Sequence, residues 1–120
     1  MAFKVLVVED DLDVQEALQC ILELEGYTVI VANNGLEALH RVEAEPPGLI
    51  LLDLMMPVMD GFGFTEEMRR REGSCRIPIM VVTAYGNTAE LASRLGQVKF
   101  IHKPFDVVAL LHEVARFAGN

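Results

Sequence analysis

Basic residues, cysteines and long apolar runs are all scarce in this chain of 120 residues, and each scarcity removes a class of function. Ten lysines and arginines face 18 acids, for a net charge of -8. That balance argues against direct nucleic-acid binding, because phosphate backbones are held by clustered Lys and Arg. An acidic patch would instead attract a cation. Two cysteines, Cys20 and Cys75, are too few and too isolated for a disulfide framework or a Cys-rich metal site, and they read as reduced, structural residues. No apolar stretch approaches the roughly 18 residues of a membrane span, and Met1 leads straight into a strand-like segment without a signal-peptide pattern. A cytoplasmic protein with no membrane partner is expected. Repeats, low-complexity stretches and linkers are also missing. The length suits one domain, 1–120, able to bury roughly 65% of the surface its unfolded chain would expose.

What is present is a strict alternation. Five short segments rich in Val, Ile and Leu read as strands: "KVLVV" at 4–8, "TVIVA" at 28–32, "LILL" at 49–52, "IMVV" at 79–82 and "KFIH" at 99–102. The first, third and fourth are apolar throughout, as strands covered on both faces are. Helical patterns separate them. Leu12 to Glu25 carries Val14, Ala17, Leu18, Ile21, Leu22 and Leu24 as an apolar stripe, with Gly26 as its stop. Asn34 to Glu45 opens on a capping-box arrangement of Asn34 and Glu37 and ends before Pro46 and Pro47. Phe62 to Arg71 places basic residues in its last turn, Asn87 to Leu95 repeats the cap with Asn87 and Glu90, and Asp106 to Phe117 opens on an Asp cap. Strand and helix alternate five times, which specifies an α/β domain with a parallel sheet and helices on both faces. Strand order does not follow from periodicity.

In open α/β folds ligands bind at the carboxyl edge of the sheet. The first strand ends in Glu9, Asp10 and Asp11, the third in Asp53, the fourth in Thr83, and the fifth, after His102, in Lys103. Taken singly, Asp11 reads as a helix cap, Thr83 as a strand-end hydroxyl and Lys103 as a solvated cation; together they mark one rim. Carboxylates a few ångströms apart repel unless a cation joins them. Oxygen ligands without His or Cys favour Mg²⁺, which uses one or two carboxylates and a phosphate oxygen. With a lysine and a hydroxyl added, the set describes a site for a phosphoryl group, and an aspartate can be its acceptor. His40, His102 and His112 have no second ligand spaced to accompany them and read as surface or packing residues.

From "VLVVEDD" through "LLDLMMPVMDGFGF" and "VVTAYG" to "FIHKPF", the chain resembles the response-regulator receiver domain of two-component signalling over essentially its whole length. The resemblance implies a doubly wound (βα)5 flavodoxin-like fold with strand order 2-1-3-4-5. It implies Asp53 as phosphoacceptor, Asp10 as direct Mg²⁺ ligand, Glu9 as an acid binding the metal through water, and the Met55 main-chain carbonyl as the remaining protein ligand. Thr83 corresponds to the hydroxyl that contacts the phosphoryl group, Lys103 to the site lysine, Phe100 to the switch aromatic, and Pro104 to a proline after a cis peptide bond. It also implies a phosphorelay partner, a sensor histidine kinase or histidine phosphotransfer protein, and an output domain or downstream protein on the face of the fourth helix, fifth strand and fifth helix.

Such a domain assists its own phosphorylation and dephosphorylation but is not an enzyme with turnover. In the family, the positions of Met55 and Tyr85 tune loss of the phosphate, and neither residue here favours an in-line water. Two departures stand out. "GQVK", 96–99, replaces the frequent Gly-Ala-Asp-Asp, and Phe100 lacks the hydroxyl of the frequent Tyr. An aspartate-based phosphatase would set an acid two residues after the nucleophile, where Met55 stands. A flavin or nucleotide module would need a phosphate cradle where "EDDLD" carries repelling charge. A degenerate receiver used as a phosphate-independent binding module would lack one of the acids, the hydroxyl or the lysine, and none is missing.

Overall fold

The computed structural model describes residues 2–71, 76–84, 88–96 and 98–119. Five parallel strands, β1 (Lys4–Val8), β2 (Thr28–Ala32), β3 (Leu49–Leu52), β4 (Ile79–Thr83) and β5 (Lys99–His102), form one sheet in the order β2-β1-β3-β4-β5. The helices are α1 (Leu12–Leu24), α2 (Gly35–Ala44), α3 (Gly61–Arg70), α4 (Thr88–Leu95) and α5 (Val107–Phe117). The order explains the composition of the strands. β1, β3 and β4 are interior and buried almost throughout, whereas edge strands β2 and β5 tolerate exposed Thr28, Lys99 and His102.

Alternation along the strands divides the core. Val5, Val7, Leu49, Leu51, Met80 and Val82 face α1 and α5, where Leu18, Leu22, Leu110 and Val114 cover them. Leu6, Val8, Ile50 and Leu52 face the other way, against Ala38, Leu39 and Val42 of α2 and Phe64 and Met68 of α3. Further along that second face, Leu54 and Val81 meet Leu91 and Leu95 of α4, flanked by Phe62 and Phe100.

Local chemistry starts each helix where a short polar residue precedes it. Asp11 Oδ1 accepts from the amides of Asp13 and Val14, Asp60 from Gly63 and Asp106 from Val108. The capping box at α2 forms only in part. Asn34 Oδ1 accepts from Glu37 N at 2.8 Å, but the Glu37 carboxylate takes the Asn33 amide instead of reaching back to Asn34. The proposed cap Asn87 lies outside the described residues. In α1 the expected stripe is corrected at two positions: Leu24 is 82% exposed and Ala17 faces solvent, while Gln15 is buried. α1 ends, as expected, before Gly26, whose φ of 92° suits the left-handed region. α4 ends at Leu95 and Gly96, at φ 75°, turns the chain toward β5. Cys20 is free and exposed on α1, so it does not pack in the core; Cys75 lies outside the described residues.

Candidate functional site

The sheet's hydrogen-bond ladder runs one residue past the strands, and this is what holds the site. Glu9 N donates to Ala32 O at 3.0 Å, Asp53 N to Val8 O at 3.0 Å and Lys103 N to Thr83 O at 2.8 Å. Glu9, Asp53 and Lys103 are therefore carried by backbone that is already paired. Gly61 adds a close approach: a Cβ there would lie 2.7 Å from the Asp53 carbonyl oxygen and 2.8 Å from Leu54 Cα, so the start of α3 presses on the chain beside Asp53 only because the residue is glycine. Asp60-Gly61 is a turn and helix-start pair by residue type, and that local signal does not show this packing requirement.

The acids meet as the strand ends require. One oxygen from each of Glu9, Asp10 and Asp53 lies within 4.8 Å of the others. Glu9 and Asp53 are buried and Asp10 is exposed. The Lys103 ammonium donates to both Glu9 oxygens at 3.1 Å and stands 3.8 Å from Asp53 Oδ2. Burial and the neighbouring Asp53 charge push the Glu9 carboxyl up to about 7, against the opposing pull of Lys103. One cation is thus insufficient for the clustered charge. The donor set, three hard carboxylates with a solvent-facing Asp10 and no nitrogen or sulfur ligand, fits a small divalent ion such as Mg²⁺.

Met55, 59% exposed, lines the same cleft as Asp53, Thr83, Ala84 and Lys103. Thr83 is fully buried. Its register partner is His102, and Val81 pairs with Phe100, so alternation places Thr83, Val81 and Phe100 on the sheet face that α4 covers. The Lys103-Pro104 peptide bond is cis, as the resemblance implied. Tyr85, expected beside the cleft, lies outside the described residues. Asp11 serves α1 as its cap and is no member of the acid cluster. His40, His102 and His112 are exposed.

One residue that sequence reading passed over is Gln15. Its side-chain amide donates to Glu9 O at 2.9 Å and Asn33 Oδ1 at 3.0 Å, with a longer 3.5 Å contact to Ala32 O. The signal was present, since Gln15, Leu18 and Leu22 share i+3 and i+4 spacing and hence one helix face. A polar residue on a buried stripe calls for partners.

The family model of the response regulator receiver domain matches residues 5–115. A transcriptional regulatory protein, the CpxR homolog of Haemophilus influenzae, is 41% identical over 98% of this chain and 52% of its own length. A probable transcriptional regulator, ycf27, of Cyanophora paradoxa is 38% identical over 85% of this chain and 42% of its own. The chain spans about half the length of the curated relatives it matches. Among solved structures, the receiver domain of the sensor histidine kinase PA1611 of Pseudomonas aeruginosa PAO1 is 30% identical with a TM-score of 0.89, covers all of both chains, and holds a magnesium ion in its active-site cleft. The Vibrio cholerae chemotaxis protein CheY4, 28% identical over 98% of this chain and 99% of its own, superposes with a TM-score of 0.89. With this strand order, this acid cluster at the carboxyl edge and a family match over nearly the whole sequence, the chain belongs to the response regulator receiver domains of two-component signalling.

Proposed function

We propose that this domain is a Mg²⁺-dependent phosphorylation switch in which Asp53 accepts a phosphoryl group from the phosphohistidine of a sensor kinase or phosphotransfer protein. The observation that carries the reading is the convergence of Glu9, Asp10 and Asp53 within 4.8 Å beside the Lys103 ammonium. In the transfer the phosphohistidine N–P bond breaks as a P–O bond forms to an Asp53 carboxylate oxygen. The released imidazole keeps the electron pair and takes up a proton. Glu9, Asp10, Asp53 and the Met55 carbonyl would hold the ion, which would neutralise charge on the phosphoryl oxygens. Lys103 supplies a second positive point, and Thr83 donates its hydroxyl to the phosphoryl group.

The readout follows from the shared face of Thr83 and Phe100. Movement of Thr83 toward the phosphate vacates space beside Val81, Phe100 turns inward, and the surface of α4, β5 and α5 changes for its partner. The relatives named as transcriptional regulators support gene expression as the regulated process. The net charge of -8 supports a protein partner for this domain in place of direct contact with nucleic acid.

Incubation with acetyl phosphate and Mg²⁺ is expected to add one phosphate by intact mass, and Asp53→Asn to abolish the addition. Labelling that persists in Asp53→Asn, or wild-type protein that takes up none, sinks the assignment.

A further inference from the structure

Gln15 is buried, 7% exposed, on the helix face that packs against the sheet, yet its side chain is polar. Its two N–H groups are directed at two separate pieces of the carboxyl edge. One meets the main-chain carbonyl of Glu9, the residue that carries the most deeply buried acid of the cluster, at 2.9 Å. The other meets Asn33 Oδ1 at 3.0 Å, in the turn between β2 and α2. Asn33 in turn donates its amide to both Glu37 oxygens at 3.4 Å, in the first turn of α2. A chain of side-chain hydrogen bonds therefore runs from the backbone of the acid turn through α1 to α2.

The backbone bonds at this point show why the bridge matters. Glu9 N is paired with Ala32 O, which ends the β1-β2 ladder, and Asp11 begins the capping of α1. Between these two anchors the chain makes a single turn that must present Glu9 and Asp10 toward Asp53. The Glu9 carbonyl is the polar group in the middle of that turn, and Gln15 is its side-chain donor. Fixing the carbonyl fixes the peptide plane between Glu9 and Asp10, and so the directions in which both carboxylates leave the backbone.

We propose that Gln15 is a positioning residue for the cation site: by bonding the Glu9 carbonyl and tying it through Asn33 to α2, it holds Glu9 and Asp10 in the arrangement that binds Mg²⁺. This rests on the metal reading above. Gln15 touches neither ion nor phosphate. Groups that orient metal ligands from behind change affinity by roughly tenfold to a hundredfold when removed, and the carbonyl contact here places Gln15 in that role for the acid turn.

The test is isothermal titration of Mg²⁺ into the wild type, Gln15→Leu and Asn33→Ala, with Asp10→Asn as the control for the site itself. Gln15→Leu keeps approximate volume on an apolar stripe and is expected to raise the Mg²⁺ dissociation constant about tenfold. Asn33 is exposed, so Asn33→Ala leaves folding intact and carries the test should Gln15→Leu fold poorly. It is expected to weaken binding several-fold. Melting temperatures without metal separate positioning from a merely structural role: a lower melting temperature with an unchanged dissociation constant in both Gln15→Leu and Asn33→Ala overturns the proposal. If the wild type binds no more Mg²⁺ than Asp10→Asn, the metal reading itself has failed and the inference falls with it.

Discussion

The two halves of the sheet are built differently, and the difference matches what each must do. Around β1 and β3, the strands are buried on both faces, α2 and α3 seat Ala38, Leu39, Val42, Phe64 and Met68 against them, and Asp11, Asn34 and Asp60 cap the adjoining helices. Glu9 and Asp53 sit on this part. Around β5, the strand is an edge with Lys99 and His102 exposed, and α4 is a short helix held by Leu91 and Leu95 against Leu54 and Val81. Arg94 lies over the Phe62 ring at 3.7 Å, a further tie between α4 and α3. A cation site needs ligands that do not move, whereas a switch needs an element whose displacement costs little. In the proposed switch the acid half supplies the first and the α4-β5 half the second.

The largest effect should come from breaking the acid half's core. Phe64 is fully buried on α3, and Phe64→Ala is expected to lower global stability by about 4 kcal/mol in denaturant unfolding. Leu91→Ala, on α4, is expected to cost about 2 to 3 kcal/mol. Hydrogen exchange sharpens the contrast: in Leu91→Ala the amides of α4 and β5 should exchange faster while those of β1 and β3 keep most of their protection. Equal acceleration everywhere would erase the distinction between the halves.

Next in size is a pH effect confined to the acid half. Glu9 has its carboxyl raised from 4.5 to about 7 in the folded chain, so the folded state holds a proton that the unfolded state has released. Its contribution to stability is fully present below 4.5 and lost as the pH rises through about 7. Metal-free protein should therefore lose on the order of 2 to 3 kcal/mol across that window. Mg²⁺ should restore stability above pH 7, where Glu9 is ionised, by up to about 2.7 kcal/mol at a hundredfold its dissociation constant. Thermal melts in chelator and in Mg²⁺ check both signs, and Glu9→Gln should flatten the Glu9 contribution. A metal-free melting temperature that rises through the same window would contradict the assignment.

A smaller effect concerns the boundary between the halves. Met55 lines the cleft with an exposed side chain that offers no group able to orient water. Met55→Asn introduces one, and the phosphorylated form should decay several-fold faster at fixed Mg²⁺. Combining it with Tyr85→Glu should increase the rate further, read from the loss of the phosphorylated mass with time. Val58 gives the smallest expected change. This β-branched residue holds φ at 67° in the loop from β3 to α3 and is 78% exposed, so it bears backbone strain without packing return. Val58→Gly should raise stability by about 1 kcal/mol, the relieved strain exceeding the added freedom of the unfolded chain.

Strand positions were legible because runs rich in Val, Ile and Leu of only four or five residues, bounded by polar residues, are too short for helices, and helix ends fell within about a residue of their caps. The site residues were legible for a related reason: a carboxylate ending an apolar strand lies at the sheet edge whatever the strand order. Gln15 was harder to see, because its value depends on Asn33, 18 positions away, and on a carbonyl that periodicity does not locate. Leu24 failed the pattern in the opposite sense, since an apolar residue at a helix end needs a neighbour to cover it and none of the packed core does.

By itself the sequence determined the alternation of strand and helix, the burial of β1, β3 and β4, and the chemical nature of the rim, because these follow from local periodicity and from which residues end each strand. Tertiary structure alone decided how those ends meet. Lys103 reaches Glu9 across 94 residues, Gly61 admits α3 against the Asp53 backbone, and the Glu9 carboxyl is pushed up by burial and by a charge from another strand. Electrostatic and packing energies depend on separation in space and on exclusion of water, and neither quantity exists until the chain has folded.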